Sequence, residues 1–141
     1  MTTTNSIEHA TTLSRPVVFN PPGVWYSRVR AFQATVTLAG QASGDDVTLF
    51  QLPAGFRPAY GTLASSVSLG SAQIAIGKAG ATGKYRAAAT FATPDSPALF
   101  GALAATSGPL GETENAILTV STAALPASGT LVIRLYGTGA D

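Results

Sequence analysis

Apolar and polar residues alternate with a period of two along most of the chain from Val29 onward. The first such segment places Phe32, Ala34, Val36 and Leu38 on one face and Gln33, Thr35 and Thr37 on the other. Successive side chains of a β-strand point to opposite faces of a sheet. The pattern therefore predicts a half-buried strand that begins at Val29.

The same alternation recurs between clusters of turn residues. It predicts further strands over about 47–52, 60–69, 72–78, 84–91, 116–121 and 131–136. In the second strand, Val47, Leu49 and Gln51 are predicted on one face and Thr48, Phe50 and Leu52 on the other. We interpret Gly70, Gly77, Gly80 and Gly83 as turn residues that separate strands. The segment from Pro97 to Leu103 stays open between a short strand and a helical turn, because Ser96-Pro97 resembles a cap followed by a first-turn proline.

Seven or eight short strands, with no helical period longer than two turns, predict an all-β fold. We expect a single β-sandwich of the jelly-roll type over residues 29–141. The chain has 141 residues, which fits one such domain with an appendage.

The appendage is residues 1–28, where Pro16, Pro21 and Pro22 fix φ and remove hydrogen-bond donors. We predict an extended N-terminal arm. Ordering it costs about 1–2 kcal/mol per residue, and burying each of its few large side chains returns only about 1.5–3 kcal/mol. An arm that cannot settle alone is suited to a neighbour's sheet edge. The predicted partner-binding residues are Pro16, Val17, Val18, Phe19, Trp25 and Tyr26.

Charged residues make up only 11% of the chain, against about a quarter in typical domains, and the formal net charge is +1. Basic residues are scattered, so no stripe is available for phosphates and nucleic-acid binding is not expected. The longest apolar run, Ala98 to Ala105, is too short to span a membrane. Because a monomer normally relies on charge for solubility, the mean hydropathy of +0.27 predicts that part of the exterior is an interface.

Candidate chemistry is sparse, and we predict neither an enzyme nor a cofactor. His9 has no nearby carboxylate to orient it, and Asp45-Asp46 falls short of the ligands a calcium loop needs. We interpret Glu112 and Glu114 as solvated loop charges. The segment Gly77 to Lys84 lacks the spacing of a phosphate-binding loop and is interpreted as a flexible hairpin tip.

Three segments resemble small jelly-roll proteins that decorate the capsids, or form the head fibres, of tailed phages. They are Gly44–Gly55, which ends in Leu52-Pro53-Ala54-Gly55, then Ala72–Gly77, and finally Ala116–Val120 with Ser128–Tyr136. Together they extend over roughly residues 30–137. The acidic residues usual in that family after the second segment are replaced here by Lys78–Lys84.

The resemblance implies a virion structural protein placed on the outer capsid surface. Synthesis in the host cytoplasm is expected because the N-terminal Met-Thr-Thr-Thr-Asn-Ser does not resemble the basic and apolar start of a secretory signal. Its implied partners are the major capsid protein and its own copies, with a trimer slightly favoured. The alternative is a carbohydrate-binding module of a phage head or tail fibre, in which Trp25 and Tyr26 stack on a sugar.

Overall fold

The computed structural model describes residues 29–102, 105 and 108–139. Their strands are β1 (Val29–Thr37), β2 (Asp46–Leu52), β3 (Arg57–Ser65), β4 (Gln73–Lys78), β5 (Ala81–Thr90), β6 (Ala98–Phe100), β7 (Glu114–Ser121) and β8 (Thr130–Thr138). Sheet A has the order β1-β8-β3-β6 and sheet B the order β2-β7-β4-β5. All pairings are antiparallel. The predicted all-β sandwich is confirmed, and the short strand β6 resolves the element left open.

The strand pairs are nested like the two arms of one long hairpin. β4 pairs with β5, β3 with β6, β2 with β7, and β1 with β8. The hairpin then wraps on itself, since β8 also pairs with β3 and β7 also pairs with β4. Two four-stranded sheets with this order have the jelly-roll topology.

The core lies between the sheets and follows the predicted alternation most closely in the two closing strands. Ala116, Leu118 and Val120 of β7 and Leu131, Ile133 and Leu135 of β8 are buried, as predicted from their spacing. Leu52, the last residue of β2, and Phe56, in the loop that follows β2, are also fully buried in this core. Each such side chain contributes about 1.5–3 kcal/mol through burial.

The predicted facing of β2 is wrong from its middle onward. The register with β7 shifts between Thr48 and Phe50, so that Val47 pairs with Leu118 and Phe50 with Ala116. An extra residue in one strand is a β-bulge, and it reverses the alternation beyond it. Phe50 therefore packs on the core, with its ring 5.8 Å from that of Phe32.

The hairpin tip predicted at Gly77 to Lys84 is present but shorter than predicted, because both strands continue almost to the turn. Lys78 pairs with Ala81, so β5 begins three residues before the predicted Lys84. Gly77 lies inside β4, where a Cβ would meet the carbonyl oxygen of Thr82 at 2.5 Å. The glycine is needed for close approach of two backbones and does not separate strands.

The loops gather at two ends of the sandwich. Loops β1–β2, β3–β4, β5–β6 and β7–β8 share one end, where the amide of Leu38 donates to the carbonyl of Gly129 and that of Leu69 to Phe91. At the other end, loop β2–β3 is tied to loop β6–β7, because the amide of Gly55 donates to the carbonyl of Leu110 and the amide of Leu110 donates to the carbonyl of Phe56. β1 starts at this second end.

Candidate interaction surface

The large hydrophobic side chains that the described sandwich exposes all belong to sheet A. Val29 of β1 is 71% exposed, Tyr60 of β3 46% and Leu99 of β6 75%. All three side chains point away from the core. Val29 and Tyr60 alternate with inward-facing residues of their own strands, and Leu99 pairs with the outward-facing Thr62. The outer face of sheet A, with strands β1, β8, β3 and β6 side by side, therefore carries these apolar side chains among polar ones.

Aromatic and hydrogen-bonding side chains occupy the middle of this face. The rings of Tyr60 and Tyr136 stack with centroids 5.0 Å apart and an interplanar angle of 24°. One row further along, the Nε of Arg134 donates to Oε1 of Gln33 over 2.9 Å. Tyrosine and arginine are the residue types enriched at the centres of protein interfaces.

Charges of opposite sign mark the two ends of β3. Arg57 is the first residue of the strand and pairs with Thr138 on the outer face. At the far end the amide of Asp95 donates to the carbonyl of Ser65, the last residue of the strand, over 2.7 Å. Asp95 and Pro97 wall a shallow groove of about 300 Å³ on this face, floored by Ala64 and Val132.

The outer face of sheet B differs in character. β7 presents Asn115, Ile117, Thr119 and Ser121 there, and β4 presents Gln73. Within the described residues, no large hydrophobic side chain is strongly exposed on this sheet. Within the described residues, the strongly exposed large hydrophobic side chains thus lie on one of the two sheets.

A polar cluster lies at the end of the sandwich where β7 begins. Glu114 is 8% exposed; its Oε1 accepts from Nζ of Lys84 at 2.7 Å and lies 3.9 Å from Nζ of Lys78. Its Oε2 accepts from the hydroxyl of Tyr85, which is 1% exposed. The predicted solvated loop charge at Glu114 is therefore wrong. Glu114 has the same parity as Ala116, Leu118 and Val120, a signal in the sequence that points it inward.

The polar groups of this cluster bond to one another. Burial, followed by the hydrogen bond and the charge of Glu114, raises the pKa of Tyr85 far above its ordinary value. The cluster floors a cavity of about 410 Å³ under residues 108–112. Because the carboxylate is engaged by an ammonium and a phenol, it fastens the β4–β5 hairpin to β7.

Other candidate residues are placed as follows. Oδ2 of Asp45 accepts from the amide of Ala42 at 2.9 Å, and Asp46 opens β2 at an exposed position, as expected of turn carboxylates. Glu112 is exposed. The described part of the chain contains no group of three or more His, Cys, Asp or Glu side chains suited to a metal ion. His9 and the six arm residues, Pro16, Val17, Val18, Phe19, Trp25 and Tyr26, lie outside the described residues.

Across residues 29–102, 105 and 108–139, no helix has the length and hydrophobicity required to cross a bilayer.

Comparisons with known proteins identify the fold. No protein-family model matches the sequence, and no curated protein matches it significantly. A chain in the capsid asymmetric unit of cyanophage Pam1 matches with a TM-score of 0.66 and 20% identity, over 89% of this chain and 95% of that one. A chain in the capsid of Ralstonia phage GP4 matches with a TM-score of 0.60 and 18% identity, over 81% of this chain and 86% of that one. At these identities the likeness establishes that this chain shares the fold of both proteins.

Proposed function

We propose that this protein is a structural component of a tailed-phage virion. In this role it decorates and cements the outer surface of the capsid, binds the major capsid protein and its own copies, and catalyses no reaction. The observation that carries the proposal is the fold it shares, over most of both chains, with proteins taken from two phage capsids.

The outer face of sheet A supports a role in assembly. A surface that exposes Val29, Tyr60 and Leu99 on one sheet is typical of a protein that works by contact with another macromolecule. The low content of charge supports the same role, because such contacts gain free energy from apolar burial.

The N-terminal arm is proposed to fasten the protein to the shell through Pro16, Val17, Val18, Phe19, Trp25 and Tyr26. Residues 1–28 join the sandwich at Val29, the first residue of β1. β1 is an edge strand whose described pairing is with β8 alone. Self-association is the second part of the proposal, and the sequence resemblance favours a trimer.

Location and copy number in purified particles test the proposal. We expect hundreds of copies spread over the shell, measured by quantitative mass spectrometry and by labelling in electron micrographs. A handful of copies at one vertex would instead indicate a fibre or connector, and absence from the particle would refute a virion role. A glycan array tests the carbohydrate-binding alternative: a signal that Trp25→Ala abolishes would favour it.

A further inference from the structure

The geometry points to a specific mode of self-association. We infer that the outer face of sheet A binds the same face of a second copy of this chain. The two copies are related by a two-fold axis that lies in the interface and runs across the strands. This inference deepens the self-association contained in the proposed function, and it differs from the trimer that the sequence resemblance favours.

The size and chemistry of the face fit a second copy. Three strands of nine residues each, β1, β8 and β3, with β6 at the margin, give a projected area of roughly 500 Å² at about 4.8 Å between strands and about 3.3 Å per residue. Side chains add relief to this projection. The accessible area therefore exceeds the projected one and is of the same order as the area of about 800 Å² per partner that is typical of stable interfaces.

The charges make the face complementary to itself. Arg57 lies at the start of β3, and Asp95 is bonded to its end through Ser65. A two-fold rotation about an axis across the strands exchanges these ends, so each Arg57 faces Asp95 of the other copy. Within the described residues, neither side chain forms an ion pair in its own chain. A parallel superposition of the faces would instead oppose like charges, which is unfavourable.

The centre of the face fits the same operation. Tyr60 pairs with Tyr136, and Thr62 pairs with Arg134, so the two rows lie on either side of Gly61. An axis that crosses β3 at Gly61 brings Arg134 of each copy over Tyr136 of the other. A guanidinium over a tyrosine ring is a favourable cation–π contact. Leu99 and Val29 then lie at the margins of the covered area.

The position of Asp95 is fixed before any partner arrives. Its φ of 57° is in the left-handed region, which aspartate tolerates better than most residues, and the bond to Ser65 holds it there. A charged residue whose backbone is held in place at the rim is suited to set the register of two faces. A partner of one sign alone would match only one end of β3, whereas a second copy matches both.

Cysteine trapping tests the register directly, because the chain contains no cysteine of its own. Full-length Arg57→Cys and Asp95→Cys proteins are mixed in equal amounts under mild oxidation. We expect disulfide-linked heterodimers in the mixture, at least 10-fold above the homodimers formed by either protein alone. Cross-linking within each protein alone, or no cross-linking in the mixture, would overturn the proposed register. Circular dichroism melts confirm that each variant is folded.

Solution mass and charge reversal test the interface without cysteines. Sedimentation of the wild-type chain at micromolar concentration should give a dimer, and a trimer or monomer would refute the two-fold pairing. Arg57→Asp should raise the dimer Kd at least 10-fold, and adding Asp95→Lys to it should restore most of the affinity. Thr48→Asp, an exposed change on β2 of sheet B, should leave the Kd unchanged.

The two proposals fail separately. A protein that decorates particles at high copy number but stays monomeric in solution would keep the proposed function and refute this interface. A dimer linked through residues 57 and 95 that is absent from particles would do the reverse.

Discussion

Tyr85 and Glu114 are joined by a buried hydrogen bond in which the phenol donates to the carboxylate. Together with Lys84 they form a set in which each polar group depends on the others. Removing one partner leaves a buried polar group with fewer hydrogen bonds than it needs, which costs more than the net value of the contact. This end of the sandwich is therefore sensitive to single substitutions.

Tyr85→Phe should change the stability of the protein at alkaline pH. Burial and Glu114 raise the pKa of Tyr85, so the folded protein keeps the proton that the unfolded chain loses above about pH 10. The proton on Tyr85 therefore has no effect on the free energy of unfolding below about pH 10. Above that pH it makes the free energy of unfolding fall by about 1.4 kcal/mol per pH unit. Urea unfolding from neutral pH to about pH 11 should show a shallower decline in Tyr85→Phe than in wild type. At neutral pH the variant should lose about 1–3 kcal/mol.

The matched control for this prediction is Tyr60→Phe, which removes a hydroxyl from the exposed stack with Tyr136. It should follow the wild-type alkaline profile. Equal slopes in wild type and Tyr85→Phe would show that the buried hydroxyl does not retain its proton.

Gly61→Ala should destabilise the sandwich by about 1–3 kcal/mol through overpacking. A Cβ at this position would overlap the ring of Phe100 and lie 2.6 Å from the carbonyl oxygen of Arg134, inside sheet A. Gly111→Ala is the control, since nothing lies within 4 Å of its added Cβ. Thermal melts of the two variants should therefore differ, and equal melting temperatures would mean that sheet A yields at Phe100.

At the scale of elements, bulges explain where strands depart from simple alternation. Between β4 and β5 the register shifts from Ile74 paired with Ala89 to Ile76 paired with Arg86. The guanidinium of Arg86 donates to the carbonyls of Ile74, Ala89 and Thr90, and thereby satisfies the acceptors that the shift disturbs. Burial also lowers the pKa of this guanidinium.

These elements show what the sequence could predict. β1, β7 and β8 alternate without interruption, and their inward faces follow from spacing alone. The bulge at Leu49 and the register shift between Arg86 and Ala89 depend on pairing with other strands, which periodicity within one segment does not contain. The cluster around Glu114 could not be predicted for the same reason. The alternation of β7 indicates that Glu114 faces inward, but its partners Lys84 and Tyr85 come from a strand about thirty residues away.

Deleting residues 1–28 should leave the sandwich folded and remove most binding to capsids. The strands and the buried core described here begin at β1, so the truncated chain should keep its β-type circular dichroism and a cooperative melt. Co-sedimentation with capsids measures the loss of binding. Unfolding of the truncated chain would show that the arm belongs to its own core, and undiminished binding would locate the contact on the sandwich.

Point substitutions in the arm refine the deletion. Phe19→Asp and Trp25→Asp should each weaken attachment by several kcal/mol, about 2–4, if their side chains enter a dry pocket. Replacing Thr2 to Asn5 with alanine is the matched control, because that segment has no large side chain to bury.

At the scale of the whole molecule, the small number of charges should make attachment to the shell insensitive to salt. Exposed ion pairs contribute at most about 1 kcal/mol each, and charged residues are only 11% of the chain. Raising the ionic strength from low to moderate should leave most copies on purified particles, as measured by sedimentation. Release of most copies by moderate salt alone would contradict an apolar attachment.

Chelation should not alter the thermal stability of the protein. The described residues contain no carboxylate or histidine cluster of the size that a structural ion requires. Melts with and without millimolar EDTA should therefore coincide. A drop of many degrees would show that Asp45, Asp46, Glu112 or Glu114 contributes to an ion site.

The position of β8 in sheet A determines when this protein can fold during its synthesis. β8 is the last strand to be made, yet it lies between β1 and β3 and pairs with both. Until Thr138 leaves the ribosome, the inward faces of those two strands have no central partner. Sheet B, whose strands all precede β8, can form its hairpins earlier, but it has nothing to cover its core face. Sheet A therefore closes only after β8 has been made, and a chain shortened by a few residues within β8 would lose sheet A as a whole.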